Sequence, residues 1–305
     1  MTPKREPFPN GSDGAPQAAL ANAKNGNGRS LTPDAPLFSG GIPMLFSGIP
    51  PSEYATIFVG ARRREFTRDE VLYSEGESVR QVMLVTSGLA KINKLGMSGT
   101  EVILRFGVPG EFLGADALLA TNGHHTSAQA FRSCRVLAWD APTFKAMAQR
   151  FPVLHQNMVR ILSEYMLELE ERFREVATEK VGPRVARQLL RLAVRIGRPI
   201  DGSIEIGLPR EELAQMTGTT LFTVSRLLSA WEVCGLVKPR REAVTICSIR
   251  ALRAIAEAGE TDCASCLSQG RSNRLDVCQS PDKRASGRLS THLCESKDSR
   301  SDQPL

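Results

Sequence analysis

The hydrophobic period changes once along this 305-residue chain, at Phe151-Pro152, and that change limits the possible folds more than any other feature. Between Leu45 and Asp140 the chain runs in short apolar/polar alternations, the period of strands with one buried face. The runs are Glu70–Tyr73, Gln81–Val85, Leu89–Ile92, Glu101–Phe106 and Arg135–Trp139. Glycine-bearing turns separate them at Glu75-Gly76-Glu77, Ser87-Gly88, Met97-Ser98-Gly99 and Pro109-Gly110-Glu111. Strands at this spacing imply an antiparallel sandwich or roll. Past Pro152, Leu162, Met166, Leu169, Phe173 and Val176 follow one another at intervals of four, three, four and three, the seam of a two-stranded coiled coil. Glu164, Glu168, Glu170, Glu171, Arg172, Arg174 and Glu175 are expected on the outer face. A seam of this kind needs a partner: a second copy of the helix, which the pattern favours, or the chain's own β domain.

Gly182-Pro183 is expected to break that helix, and a second amphipathic helix follows from Arg184 to Ile196. Pro209 to Thr217 then opens with proline and places acids in the first turn; Gly218-Thr219 makes a turn, and Thr220 to Glu232 forms another helix ended by Cys234-Gly235. Two short helices about a glycine turn fit a helix-turn-helix. Leu236 to Ile246 reads as two strands about the basic turn Lys238-Pro239-Arg240-Arg241, which is a wing. The expected class is α+β: an N-terminal antiparallel β-roll of the cupin or jelly-roll kind (37–150), a long dimerisation helix (151–181) and a C-terminal winged helix-turn-helix (182–258). The Pro-, Gly- and Asn-rich arm (1–36) and the Ser-, Asp- and Arg-rich tail (259–305) lack apolar periodicity and are expected to be disordered.

Composition agrees with this division. A chain of this length with 41% hydrophobic residues supports two cores. The first thirty residues hold no apolar stretch of the kind a signal peptide needs, so a cytoplasmic protein with no membrane partner is expected. Seven cysteines, with Cys134, Cys234 and Cys247 scattered singly, argue against a secreted disulfide framework. The net charge of +6 is concentrated: Lys180 to Arg253 holds thirteen Lys/Arg against six Asp/Glu, so the rest of the chain is close to neutral. A localised positive field suits a polyanion such as nucleic acid, although a solvated basic surface has the same composition.

The order of elements, with Arg210-x-Glu212-Leu213-Ala214, Gly218, Thr223-Val224-Ser225-Arg226-x-Leu228 and Gly235-Leu236-Val237, resembles the Crp-Fnr family of transcription regulators. In the first half the resemblance rests on Gly76, Gly88, Gly99, Gly110 and Gly114, spaced as in that family's cyclic-nucleotide-binding roll. It implies a homodimer on double-stranded DNA whose second helix-turn-helix helix enters the major groove, with RNA polymerase as a further partner if the protein activates. It also implies that Arg226 contacts guanine, a pairing that contributes about 1–3 kcal/mol of discrimination. Ser225 supports Arg226 or touches a base. Leu221 and Phe222 stand where many members carry Arg-Glu; they can pack on thymine methyls and predict a different operator. Thr219, Thr220 and Thr223, near a helix N-terminus, are candidates for phosphate contact, with N-capping as the competing duty of Thr220. Arg210, Lys238, Arg240 and Arg241 are candidates for sequence-blind phosphate contact.

The expected effector pocket comprises Gly114, Ala115, Asp116, Thr126 and Ser127. Cyclic-nucleotide members carry glutamate and arginine where this chain has Ala115 and Thr126, so cyclic AMP is not expected and the effector is left open. No cysteine precedes Cys134, which removes the N-terminal ligand set of an iron–sulfur cluster. His124-His125 reads as a plain surface pair on a glycine-rich loop, and Cys263, Cys266, Cys278, His292 and Cys294 are too widely spaced for a strong metal signal. No metal site and no catalytic constellation is expected. A regulatory module whose winged helix docks protein rather than DNA is the competing reading.

Overall fold

The computed structural model describes residues 43–114 and 123–258. The arm over 1–36, the tail over 259–305 with its cysteines and His292, and the pocket candidates Ala115 and Asp116 lie outside the described residues. Two short 3-10 turns lead into α1 (Tyr54–Phe58). The roll follows as β1 (Arg62–Phe66), β2 (Val71–Tyr73), β3 (Gln81–Leu95), β4 (Glu101–Gly107), β5 (Phe112–Leu113) and β6 (Ser127–Asp140). Its sheet runs β1-β6-β3-β4, antiparallel throughout, with β2 added on β6 and β5 on β3.

Ser87-Gly88 is not the expected turn. Chain 81–95 is one strand that bends there through shifts in its register with β6. Gly88 makes the bend possible: its φ is +87°, and a Cβ would lie 2.0 Å from the Ser133 carbonyl oxygen. One core lies inside the roll around Phe66, Val85, Ile92, Leu113 and Val136. A second joins the roll to the helices through Phe46, Phe58, Leu84, Trp139, Phe144 and Leu154. Trp139 Nε1 donates to the Ile57 carbonyl at 2.9 Å, so this large side chain is buried with its one polar group satisfied.

α2 (Ala141–Arg150) and the 27-residue α3 (Pro152–Thr178) follow, and Asn157 on α3 donates to the carbonyls of Leu45 and Ser47. α4 (Val181–Ile196) begins two residues before the expected proline break, so Gly182 and Pro183 sit in its first turn and the interruption falls at Glu179-Lys180. Proline is at ease there, because first-turn amides have no helical acceptor. The C-terminal half continues as β7 (Arg198–Ile200), β8 (Ser203–Ile206), α5 (Arg210–Thr217), α6 (Leu221–Val233), β9 (Val237–Pro239), β10 (Val244–Ile246) and α7 (Ile249–Ala258). Its sheet runs β7-β8-β10-β9, so the wing is paired to a hairpin that precedes the helix-turn-helix. That hairpin turns at Asp201 and Gly202, both with positive φ.

Two residues assigned to the outer face of α3 face inward. Arg172 donates to the carbonyls of Ile103, Leu104 and Met216. Glu175 is buried, with a bidentate bond to Arg191 at 2.6 and 2.8 Å and Arg187 at 3.3 Å. The physical reason is the arginine stripe of α4, which packs against the end of α3 and takes a carboxylate as its counter-charge. Burial opposes the ionisation of Glu175, but Arg191 and Arg187 outweigh it and hold its pKa below the ordinary carboxylate value. A depressed acid contributes stability above its unfolded pKa and loses that contribution as pH falls through the folded value. Glu175→Gln is therefore expected to destabilise the fold at neutral pH by about 3 kcal/mol, since it leaves two guanidiniums short of a counter-charge. It should also flatten the loss of stability below about pH 4; urea unfolding at neutral and acid pH, at fixed protein concentration, reads both effects.

Candidate nucleic-acid interface and effector cavity

α5 opens after Pro209 with Glu211 and Glu212 in its first turn, where the helix dipole favours negative charge. It closes on Gly218 in the left-handed region, φ 59°, the conformation that lets the chain turn sharply into α6. Arg184 on α4 fixes this turn. Its Nε donates to the Thr217 carbonyl at 2.8 Å, and its Nη1 reaches the carbonyls of Val176 and Glu179 at 3.4 and 3.3 Å. One buried guanidinium thus ties the turn of the helix-turn-helix to the end of α3.

α6 is held by its back face, where Val224, Leu228 and Trp231 are buried, and it packs on β9 of the wing sheet. Its front face carries the residues singled out for base reading. Arg226 is exposed, Leu221 and Phe222 are 45% and 85% exposed, and Ser225 is half-buried beside them. Thr220 is the N-cap: its Oγ1 accepts from the Thr223 amide at 3.2 Å and lies 3.0 Å from Thr223 Oγ1. The capping duty engages the Thr220 hydroxyl. Lys238, Arg240 and Arg241 are exposed on the wing, whose turn is closed by Arg240 N to Ala243 O at 2.7 Å. Arg210 is half-buried at the head of α5, with its Nε buried and without a hydrogen-bond partner.

A cavity of about 310 Å³ lies between the roll and α3. Tyr73, Ile92, Leu104, Arg105, Phe112 and Thr126 line it from the roll, and Ile161, Leu162, Tyr165, Met166, Leu169 and Arg172 from α3. Of the pocket residues picked from the sequence, Thr126 lines this space. Ser127 does not: its hydroxyl accepts from the Glu75 amide at 2.9 Å. Gly114 sits against His124, where a Cβ would meet the imidazole at 3.0 Å. His124 is not the expected surface residue; it is buried and stacked on Tyr73 at 3.9 Å. No group of three or more metal-ligating side chains occurs among the described residues.

Both arginines in the cavity wall are engaged. Arg105 donates to Glu111 at 3.1 Å and lies 4.2 Å over the Tyr165 ring, and Arg172 gives its donors to the three carbonyls named above. Arg132, also on the roll, donates to the Gly207 carbonyl at 2.7 Å. Arg172, Arg132 and Arg195 all run from one half of the chain to the other, a part that their place in the sequence does not announce. The available signal was the spacing of Arg184, Arg187, Arg191 and Arg195 on one helical face.

Residues 63–151 match the cyclic nucleotide-binding domain, and residues 183–255 match the Crp-like helix-turn-helix domain. The CRP-like cAMP-activated global transcriptional regulator of Mycobacterium tuberculosis is 24% identical over 204 residues, 66% of this chain and 91% of that protein. The cyclic AMP receptor protein of Thermus thermophilus is 27% identical over 194 residues, 64% of this chain and 88% of that one. Among solved structures, FixK2 from Bradyrhizobium japonicum shares the fold at a TM-score of 0.58, with 21% identity over 64% of this chain and 96% of its own.

Proposed function

The chain belongs to the Crp-Fnr family of DNA-binding transcription regulators, and from that premise we propose that it works as a homodimer which inserts two copies of α6 into a palindromic operator and takes its signal at the cavity beside α3. The observation that carries the proposal is the two-sided build of α6, whose back is anchored by Val224, Leu228 and Trp231 while Arg226, Ser225, Phe222 and Leu221 face outward. Arg226 reads guanine, Phe222 and Leu221 pack on thymine methyls, and Thr219, Thr223, Arg210 and the wing cations hold phosphates. No described helix is long and apolar enough to cross a membrane, in keeping with a regulator at work in the cytoplasm. RNA polymerase is the further partner if the protein activates.

The dimer reading rests on α3. Met166, Leu169, Phe173 and Val176 are 55%, 51%, 74% and 50% exposed along one seam. Covering such side chains contributes on the order of 1.5–3 kcal/mol each. A Met166→Lys, Phe173→Lys variant should sediment as a monomer; a dimer of undiminished affinity would refute the seam.

Relatives of this chain are named for cyclic AMP, but the described residues of this cavity do not fit a cyclic phosphate. Its arginines are committed to Glu111 and to main-chain carbonyls, and Thr126 brings no charge. A buried phosphate without a cation costs several kcal/mol. Calorimetric titration with cyclic AMP should show no binding in the micromolar range; micromolar binding together with tighter operator binding would overturn this reading of the pocket.

Fluorescence anisotropy on operator and random DNA across a salt series tests the DNA reading as a whole. Arg226→Ala is expected to reduce the preference for operator over random DNA by about 1–3 kcal/mol per half-site. Neutralising Lys238, Arg240 and Arg241 should weaken binding to both DNAs and lower the salt slope by about one unit for each phosphate no longer neutralised. A full specificity ratio in Arg226→Ala would mean that α6 is not the reading helix.

A further inference from the structure

Strand β4 touches both the cavity and the DNA-binding half. Leu104 and Arg105 line the cavity. The Phe106 carbonyl accepts from Arg195 Nε and Nη2 at 3.1 and 2.9 Å, and Arg195 stands in the last turn of α4. α4 in turn packs against α5 and α7, so its placement carries the helix-turn-helix with it.

The same Arg195 Nη2 reaches both oxygens of Glu111, at 2.7 and 2.9 Å, while Arg105 Nη1 holds the Glu111 carboxylate from the cavity side at 3.1 Å. Each of the three side chains is only 18–25% exposed, so the bonds are less screened than surface pairs. One carboxylate therefore serves two guanidiniums, one in the cavity wall and one on the DNA-binding half. A shift of Arg105 changes how much of the Glu111 charge is left for Arg195.

We infer that the chain Arg105–Glu111–Arg195 is the relay through which the contents of the cavity set the placement of the helix-turn-helix, with Glu111 as its joint. The inference rests on the reading of the cavity as the control point. An occupant that touches Arg105, or the Tyr165 ring it stacks on, moves the first guanidinium. Glu111 follows or lets go, and α4 loses or gains its hold on β4. Two arrangements of one ion chain are thereby biased by events at one end and read out at the other.

A double-mutant cycle on the full-length protein tests the relay, with a DNA fragment enriched by the protein from a random pool as the binding probe. Ile161→Trp fills part of the cavity and stands in for an occupant; Thr126→Leu, in the same wall, replaces it if the first variant fails to fold. The filling substitution should change the Kd for DNA by at least about fivefold in the otherwise native chain. In Glu111→Gln, and equally in Arg195→Gln, the same substitution should change it by less than about twofold. An undiminished change in both backgrounds overturns the relay while leaving the cavity as the control point. No change in the native background removes the cavity as the control point, and the relay with it.

Discussion

Arg184 donates to the Thr217 carbonyl at the turn of the helix-turn-helix and to the carbonyls of Val176 and Glu179 where the seam helix ends. Helix ends leave their last carbonyls without partners, and a buried one left unmade costs about as much as a missing hydrogen bond. A guanidinium brings five donors in a fixed plane, so a single side chain can satisfy three carbonyls at two helix ends and set their mutual geometry. This bond set links the turn that leads into α6 to the end of α3. The same chemistry recurs where the two halves of the chain meet, with Arg132 on Gly207, Arg172 on Met216 and Arg195 on Phe106. Gly207 is tailored to it, because a Cβ there would lie 2.0 Å from Arg132 Nη2.

Carbonyl-directed arginines suit a protein that must hold a domain in place and also let it move. The buried Glu175 clamp and the shared Glu111 supply the counter-charge that keeps four inward-facing guanidiniums tolerable. The concentration of positive charge from Lys180 to Arg253 thus has two uses. Arg226, Lys238, Arg240 and Arg241 face solvent, whereas Arg184, Arg187, Arg191 and Arg195 turn inward as structural donors.

Most of the architecture was legible in the sequence, because long periodic segments and glycine or proline punctuation report local geometry directly. The seam helix, both helices of the helix-turn-helix and the wing stand close to where Leu162–Val176, Pro209, Gly218 and Gly235 placed them. β1 was missed because Arg62-Arg63-Arg64-Glu65 has no apolar alternation: it is an edge strand that buries only Phe66. β7 and β8 were too short to show a period. The bend at Gly88 reads as a turn in the sequence because a positive-φ glycine looks the same in either setting. Of the functional groups, the outward face of α6 could be read from its motif. The inward arginines could not, since a stripe of charge at helical spacing signals a solvated face unless one knows what packs against it, and the burial of His124 on Tyr73 rests on a long-range contact with no local signature.

The proposed function has two copies of α6, held at a fixed separation by the α3 seam and the Arg184 joint, reading one palindromic DNA site. Enrichment of DNA from a random pool by the purified full-length protein tests it most directly. The expected product is an inverted repeat whose half-site centres lie about one helical turn, 10–11 base pairs, apart. Each half should hold a guanine opposite Arg226 flanked by thymines that meet Phe222 and Leu221. An enriched sequence without two-fold symmetry, or recovery of the pool unchanged, would contradict it.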